Sequence, residues 1–447
     1  MTSRRLALAL ALLAPASALA ADAGAPALPS EPITPPVSAP GGGIPVAPAE
    51  RVTLDEAVRR ALARNPTVAT ARAEVARAQA LVTEARAGWL PTLIGNGSYT
   101  RLDRERTAGS TGNVIGKKDQ FFGNLVLTVP LVAPQGWTAT REARDGERVA
   151  TASALDVRRL IAQSTATTYL TVLAQHRQIR STEAALANAR VHALFAHTRL
   201  KGGLGNSLDD TRAQQDVAVN EVQLQQVYAG LLRAREALGV LVGGDGPIDT
   251  ARDADLGTVP TLATALEDAR ARRPDIVAQR SKVTAAENLR KDVWAAYAPY
   301  LAAVGQPFVQ EGNLFQPRTG WQAQLLLTLP LYDGGLRSGK AQERDAILDQ
   351  ARLGLEATLR QAQSEVRVAF EAMLRADRAL ESARAAAELA RKAYDLATLA
   401  YRAGATTNLE VIDAAHRVRD ADGDVSQAED VARRARLDLL VSSGRFP

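Results

Sequence analysis

The chain holds no cysteine anywhere in its 447 residues. That excludes disulfides, thiolate metal sites, cysteine nucleophiles and a lipid-anchored N-terminal cysteine. Aromatic residues make up only 4%, little for a chain wrapped around one large globular core. Beyond the N-terminus no stretch offers 18 uninterrupted apolar residues, so no transmembrane helix is expected. Excess charge of one sign is also scarce: 54 Lys and Arg stand against 49 Asp and Glu, interspersed throughout. A dense basic tract with interleaved aromatics is missing, so nucleic acid is not an expected partner. Neither a Walker loop nor an HExxH motif occurs. The four histidines, His176, His192, His197 and His416, read as surface positions on helices. No catalytic, cofactor-binding or metal-binding residues are expected, and no enzyme chemistry.

What is present begins with an export signal. Arg4 and Arg5 form a charged start, Leu6 to Ala14 a short apolar run, and Ala18-Leu19-Ala20 a cleavage site, so residues 1–20 read as a signal peptide. Residues 21–50 follow as a linker, whose eight prolines and Gly41-Gly42-Gly43 triplet favour an extended, flexible chain.

From residue 51 the chain repeats itself. Arg64-Asn65-Pro66 and Arg272-Arg273-Pro274 lie 208 residues apart, as do Gly88-Trp89-Leu90-Pro91 and Ala296-Tyr297-Ala298-Pro299. Leu125 to Leu131 matches Leu325 to Leu331 at an offset of 200, and the glycine-led turns at Gly203 and Gly404 match at 201. Four anchors in one order indicate two copies of a whole structural unit, over 51–246 and 260–447. The period is too long for a solenoid.

Each unit opens with a short capped helix. Thr53 and Glu56 fit a capping box, and Thr264 or Thr261 plays the cap role in the second copy. A helix starting at Pro66 follows, and then a strand pair, at about 91–130 and again at about 299–330. Phe121, Gly123, Leu125, Leu127 and Val129 alternate with Phe122, Asn124, Val126 and Thr128. Strands of about ten residues, apolar on one face and mixed-polar on the other, fit a transmembrane β-barrel. Half-buried hairpins of a soluble domain fit the pattern too. Between the strands lie polar, Gly-rich loops, 104–119 and 311–320.

The rest is long helix, expected over 138–203 and 206–243, then 336–403 and 406–443. Over 65 residues at 1.5 Å per residue, such a helix reaches roughly 100 Å. The helices are Ala-rich with charged faces, as antiparallel coiled coils in water require. The fold class is thus mainly α with a small β part. Four strands in one chain cannot close a barrel, and open edges in lipid are costly, so a ring of identical chains is expected.

The chain resembles the TolC-like outer membrane efflux proteins over about 51–447. The likeness rests on Leu54-Asp55-Glu56-Ala57 with Arg64-Asn65-Pro66, on Arg273-Pro274-Asp275, and on Leu327 to Leu331 with Asp333-Gly334-Gly335. It also rests on Tyr401-Arg402-Ala403-Gly404 leading to Leu409 through Ala414. The resemblance implies a homotrimer, a twelve-stranded transmembrane β-barrel in outer membrane lipid, and a coiled-coil α-barrel tunnel reaching deep into the periplasm. It implies a passive exit duct, docked to a periplasmic membrane-fusion adaptor and an inner-membrane pump of RND, ABC or MFS type. Drug or solvent efflux, metal-ion efflux and type I protein secretion all stay open as its task.

At the tip the resemblance assigns Glu410 and Asp413 to an entrance ring. Their spacing puts both on one helix face, six carboxylates in a trimer; a first-turn acidic pair that favours the helix N-terminus is the plainer reading. Asp209 and Tyr401 match positions that tie neighbouring tip helices. Thr406 replaces the arginine often found there. Gly203 and Gly404 fit turns needing positive φ. Trp89, Tyr297, Trp137 and Tyr332 flank the strands on the helix side, with Phe121, Phe122, Phe315 and Trp321 toward the loops. Two such groups suit membrane-interface girdles, although Trp137 and Tyr332 fit packing at the barrel junction equally well. The competing class is a periplasmic coiled-coil structural or adaptor protein without a membrane barrel.

Overall fold

The computed structural model describes residues 49–108, 113–203, 205–254, 256–311 and 317–446. The signal peptide, nearly all of the linker and Phe315 lie outside the described residues. Described structure begins with strand β1 (Glu50–Val52), so the segment read as linker ends in a strand. β1 pairs in parallel with β6 (Ile248–Thr250), from the segment between the two halves.

Helix α1 (Leu54–Arg64) is capped as expected at Thr53, whose hydroxyl accepts from the Glu56 amide at 3.4 Å. The capping box is only half made. The Glu56 carboxylate turns away from Thr53 to accept from Arg60 Nε at 2.5 Å, which a charged donor makes the stronger contact. Asn65 ends α1 and starts α2 (Pro66–Ala87), accepting from the Thr67 amide at 2.9 Å. In the second half Thr261 caps α5 (Leu262–Arg272), and α6 (Pro274–Lys291) starts at a proline where no amide is needed.

The strands are β2 (Thr92–Arg101), β3 (Arg106–Ala108), β4 (Asn113–Gly116), β5 (Asp119–Val132), β7 (Tyr300–Gln310) and β8 (Thr319–Thr328). β2, β5, β7 and β8 form one antiparallel sheet in that order. Both strand pairs are where the alternation puts them. Two features are not. The loop over 104–119 carries a small β3–β4 ribbon. β5 also runs past Pro130, where the register against β7 slips between Pro130 and Val132; proline cannot donate to the ladder, and a bulge absorbs the loss.

Four long helices complete the chain: α3 (Pro134–Lys201), α4 (Ser207–Val242), α7 (Leu336–Arg402) and α8 (Asn408–Ser442). α3 starts four residues earlier than the 138 expected, because Pro134 serves as its first residue. At 68 residues it is roughly 100 Å long. α3 packs with α4 and α7 with α8; α2 and α6 lie against α3, and α8 also contacts α3.

The core sits midway along α3 and α7, against the C-terminal parts of α4 and α8. One cluster joins Val52, Leu54 and Val58 to Ala166, Leu170, Leu238 and Leu437. A second joins Ala265 and Ala269 of α5 to Val366, Met373, Ala432 and Leu439. Each fully buried Leu or Val is worth about 1.5–3 kcal/mol. Tyr169 is wholly buried there, and its hydroxyl donates to the Arg252 carbonyl at 2.7 Å. The α1 and α5 helices therefore clamp a belt around the long helices, leaving the sheet at one end and the tip at the other.

Candidate functional site

The sheet separates two chemistries by face. Residues paired directly across strands share a face. Leu93, Leu127 and Gly305 align on one, as do Ala303 with Leu325 and Leu301 with Leu327. On the other, Asn96 Nδ2 donates to Asn124 Oδ1 at 3.0 Å, and Gln322 Nε2 to Gln306 Oε1 at 2.6 Å. The apolar face is uncovered, with Leu93 66% and Leu325 71% exposed. A face this apolar belongs against lipid or another protein.

The aromatics fall into two groups at opposite ends of the strands, about 30 Å apart at 3.3 Å per residue. Trp89 is half-buried and donates from Nε1 to Thr140 Oγ1 at 3.1 Å. Tyr297 carries the Arg337 guanidinium 4.7 Å from its ring centre. Trp137 is 43% and Tyr332 89% exposed. At the loop end Phe121 and Trp321 are exposed, and Tyr99 lies opposite Phe121 across the ladder. Tyr99 was not singled out from the sequence, though its place at the end of an alternating strand marks it.

At the other end the helices turn. α3 ends at Gly202 and Gly203, and α7 at Ala403 and Gly404. Gly203 at φ 73° and Gly404 at φ 75° take the left-handed conformation, which any side chain would strain. Asn206 caps α4 by accepting from the Leu208 amide at 3.0 Å. Asn408, the first residue of α8, is 2% exposed and donates from Nδ2 to the Asp209 carbonyl at 3.4 Å. Asp209 thus meets the other hairpin through its backbone.

Tyr401 is buried against α3. Its ring meets Phe195 edge-on at 5.9 Å and His192 at 6.5 Å, and the Arg199 guanidinium stands 4.8 Å from its centre. With threonine at 406, a guanidinium still reaches the tip, from α3 rather than from the turn. His192, Phe195 and Arg199 were missed from the sequence; their i, i+3, i+7 spacing was the available signal. Glu410 and Asp413 are both exposed at the start of α8. Asp413 pairs with Arg417 at 2.9 Å, whereas Glu410 forms no ion pair among the described residues. The negative charge at this face is therefore weaker than two unpaired carboxylates would make it.

The histidines correct the sequence reading in part. His176 Nε2 is 2.6 Å from Asp249 Oδ1, His416 Nε2 2.8 Å from Asp216 Oδ1, and His197 Nδ1 3.4 Å from Asp210 Oδ2. His192 is largely buried, and its Nε2 has no partner among the described residues. His176, His197 and His416 thus tie their helices to other elements through carboxylates up to 200 residues away, while His197 and His416 keep side chains 44% and 42% exposed. Among the described residues no group of three or more His, Asp or Glu could hold a metal ion.

The outer membrane efflux protein family model matches residues 57–244 and 265–445. The chain is 27% identical over 415 residues to the pyoverdine export outer membrane protein OpmQ of Pseudomonas putida, covering 87% of this chain and 84% of that one. It is also 27% identical to the fusaric acid resistance protein FusA of Burkholderia cepacia, over 63% of this chain and 56% of that protein. Among solved structures, CusC matches with a TM-score of 0.77 at 18% identity, covering 89% of this chain and 93% of that one. The Campylobacter jejuni CmeC outer membrane channel matches at 0.75 and 18%, covering 88% and 86%. VceC of Vibrio cholerae matches at 0.72 and 20%, covering 88% and 96%. With the family model spanning most of the chain in two stretches, and the fold shared with solved structures over most of its length, this protein belongs to the outer membrane efflux protein family and is an outer membrane protein, not an enzyme.

Proposed function

We propose that three copies of this chain form the exit duct of a tripartite export system. The observation that carries it is the four-stranded sheet, apolar on one face, with β2 and β8 as unpaired edges. In lipid each unpaired backbone group costs several kcal/mol, so the edges must pair with other copies. Three chains give twelve strands. The same arrangement sets three pairs of hairpins side by side as a tunnel of roughly 100 Å. The duct is passive; a periplasmic adaptor and an inner-membrane pump supply cargo and energy. Related proteins named for pyoverdine export and fusaric acid resistance favour small organic cargo over protein. The alternative, a periplasmic coiled-coil scaffold, leaves the bare apolar sheet face without a purpose.

Glu410 and Asp413 are proposed to line the narrow entrance and favour cations. Because Arg417 offsets Asp413, Glu410 carries most of the preference. The native mass in detergent, after extraction from outer membranes, tests the assembly: a trimer is expected, and a monomer or a carbonate-soluble protein overturns it. Reversal potentials in a salt gradient test the ring. Glu410→Gln lowers cation preference more than Asp413→Asn; unchanged potentials in both refute a pore-lining role.

A further inference from the structure

Just above the tip, helices of both hairpins line a partly open cleft between them. Its walls include His192 from α3, Asp216 and Asn220 from α4, Tyr394 from α7 and His416 from α8. Two imidazoles from different hairpins thus line one partly open cleft. Imidazole is the side chain that changes charge between pH 5 and 8.

Their surroundings differ. His416 Nε2 lies 2.8 Å from the Asp216 carboxylate, so the contact bridges α8 to α4; the Asp216 side chain is 10% exposed and the His416 side chain 42%. Asn220 supports Asp216 by donating to its Oδ1 at 3.2 Å. Tyr394 faces this pair from α7, His192 from α3, and Arg419 and Asp422 from α8 itself. A cationic ring at this position would pair with the Asp216 carboxylate across the two helices.

His192 makes no hydrogen bond to a carboxylate. Its Nε2 and the Oδ1 atoms of Asn220 and Asn408 are buried without partners among the described residues. Tyr401 packs on its ring from α7, with Arg199 of α3 over the same tyrosine. Asp209 and Asp216 of α4 act on it only through space, and His416 and Asn408 face it from α8. Burial holds its pKa below the ordinary histidine value, against the opposing pull of Asn408 and the two aspartates. A group depressed this way destabilises the packed arrangement as pH falls below the ordinary value, because the proton binds better once the ring reaches water.

We infer that the tip is proton-sensitive with two opposed elements: a charge on His416 clamps the two hairpins together through Asp216, and a charge on His192 pries them apart. As a regulation of the tunnel entrance, this rests on the tip being that entrance. The physical basis is desolvation. At His416 a carboxylate compensates the charge; at His192 nothing charged touches it.

The test is amide hydrogen exchange over residues 408–420 of the full-length detergent-solubilised protein, between pH 8 and 5.5, corrected for the intrinsic rate. His416→Gln keeps the hydrogen bond but not the charge, and protection should fall several-fold on acidification as His192 acts alone. In His192→Gln protection should rise several-fold over the same range as His416 acts alone. Two variants with the same slope, or with slopes equal to native, overturn the proposal. Glu410 and Asp413 are intact in all three proteins, so any contribution from them cancels. Single-channel conductance at the same pH values separates the two claims. If the exchange slopes diverge while conductance stays level, the latch stands and the entrance reading fails. If neither diverges, the latch itself fails.

Discussion

Midway along the long helices and again near the tip, charged and polar groups tie one helical hairpin to the rest of the chain, but the two ties are built differently. In the middle, Asp249 is 2% exposed and accepts from Arg235, His176 and the Thr250 amide. Arg273 is 3% exposed and donates to Asp275, Glu365 and the Ser442 carbonyl. Arg235 leaves its Nε without a partner, yet each of these buried charges touches an opposite one. At the tip, His416 and Asp216 share one contact, and among the described residues His192 has none with a charged group. The difference teaches where the molecule is fixed. Buried charges with several partners hold one geometry, since any movement strands a charge. Buried polar atoms without partners leave room for a second arrangement that satisfies them.

The strongest way to break the contrast is in the middle. Arg273→Ala leaves Asp275 beside a vacated site and frees the Ser442 carbonyl, so a loss of about 3–5 kcal/mol is expected, read as a lower guanidinium unfolding midpoint. Next is Gly243→Ala. Gly243 has φ 72°, and an added Cβ would lie 2.9 Å from Arg64 Cβ. Strain and overpacking together should cost about 2–3 kcal/mol. The same change at Gly404, where a Cβ meets nothing within 4 Å, should cost only the left-handed strain, about 1 kcal/mol.

Acid sharpens the comparison further. Burial pushes the Asp249 carboxyl up, but hydrogen bonds from His176 and Arg235 outweigh it, and the group sits below the ordinary carboxylate range. Asp275 is likewise lowered, by Arg273 against burial. A lowered carboxyl stabilises above its unfolded pKa, about 3.9, and that contribution fades as pH falls through the folded value. The belt should therefore weaken below about pH 4. Asp249→Asn should flatten the acid limb of stability against pH. The smallest effect expected is Arg199→Ala, which removes a partly exposed cation–π contact worth about 0.5–1 kcal/mol and should raise exchange near Tyr401 without moving the unfolding midpoint.

Much of this was legible in the residues themselves. Proline-free stretches gave the long helices to within a few residues, because helix length follows from where Pro and Gly stop it. Period-two alternation located β5 and β8 for the same local reason, and the less regular β2 and β7 were placed just before them. The β1–β6 pair was not legible, since a three-residue strand has no period to read, and its partner lies nearly 200 residues on. Nor was the β5–β7 pairing that joins the halves into one sheet. At the candidate site, Glu410, Asp413 and the two glycines stand out by position alone. The contacts of His192, Arg199 and His416 do not, because each depends on which helix lies alongside.

By itself, then, the sequence determined what its local periods encode: two kinds of element, their lengths, where the helices reverse, and the apolar stripe on each strand. Only the tertiary structure decided which charges are buried together. Asp216 meets His416 across 200 residues, and Asp249 meets His176 across 73. Whether such a charge is held fast or left to titrate depends on the water excluded around it, and that is set by the packing of helices distant in the chain.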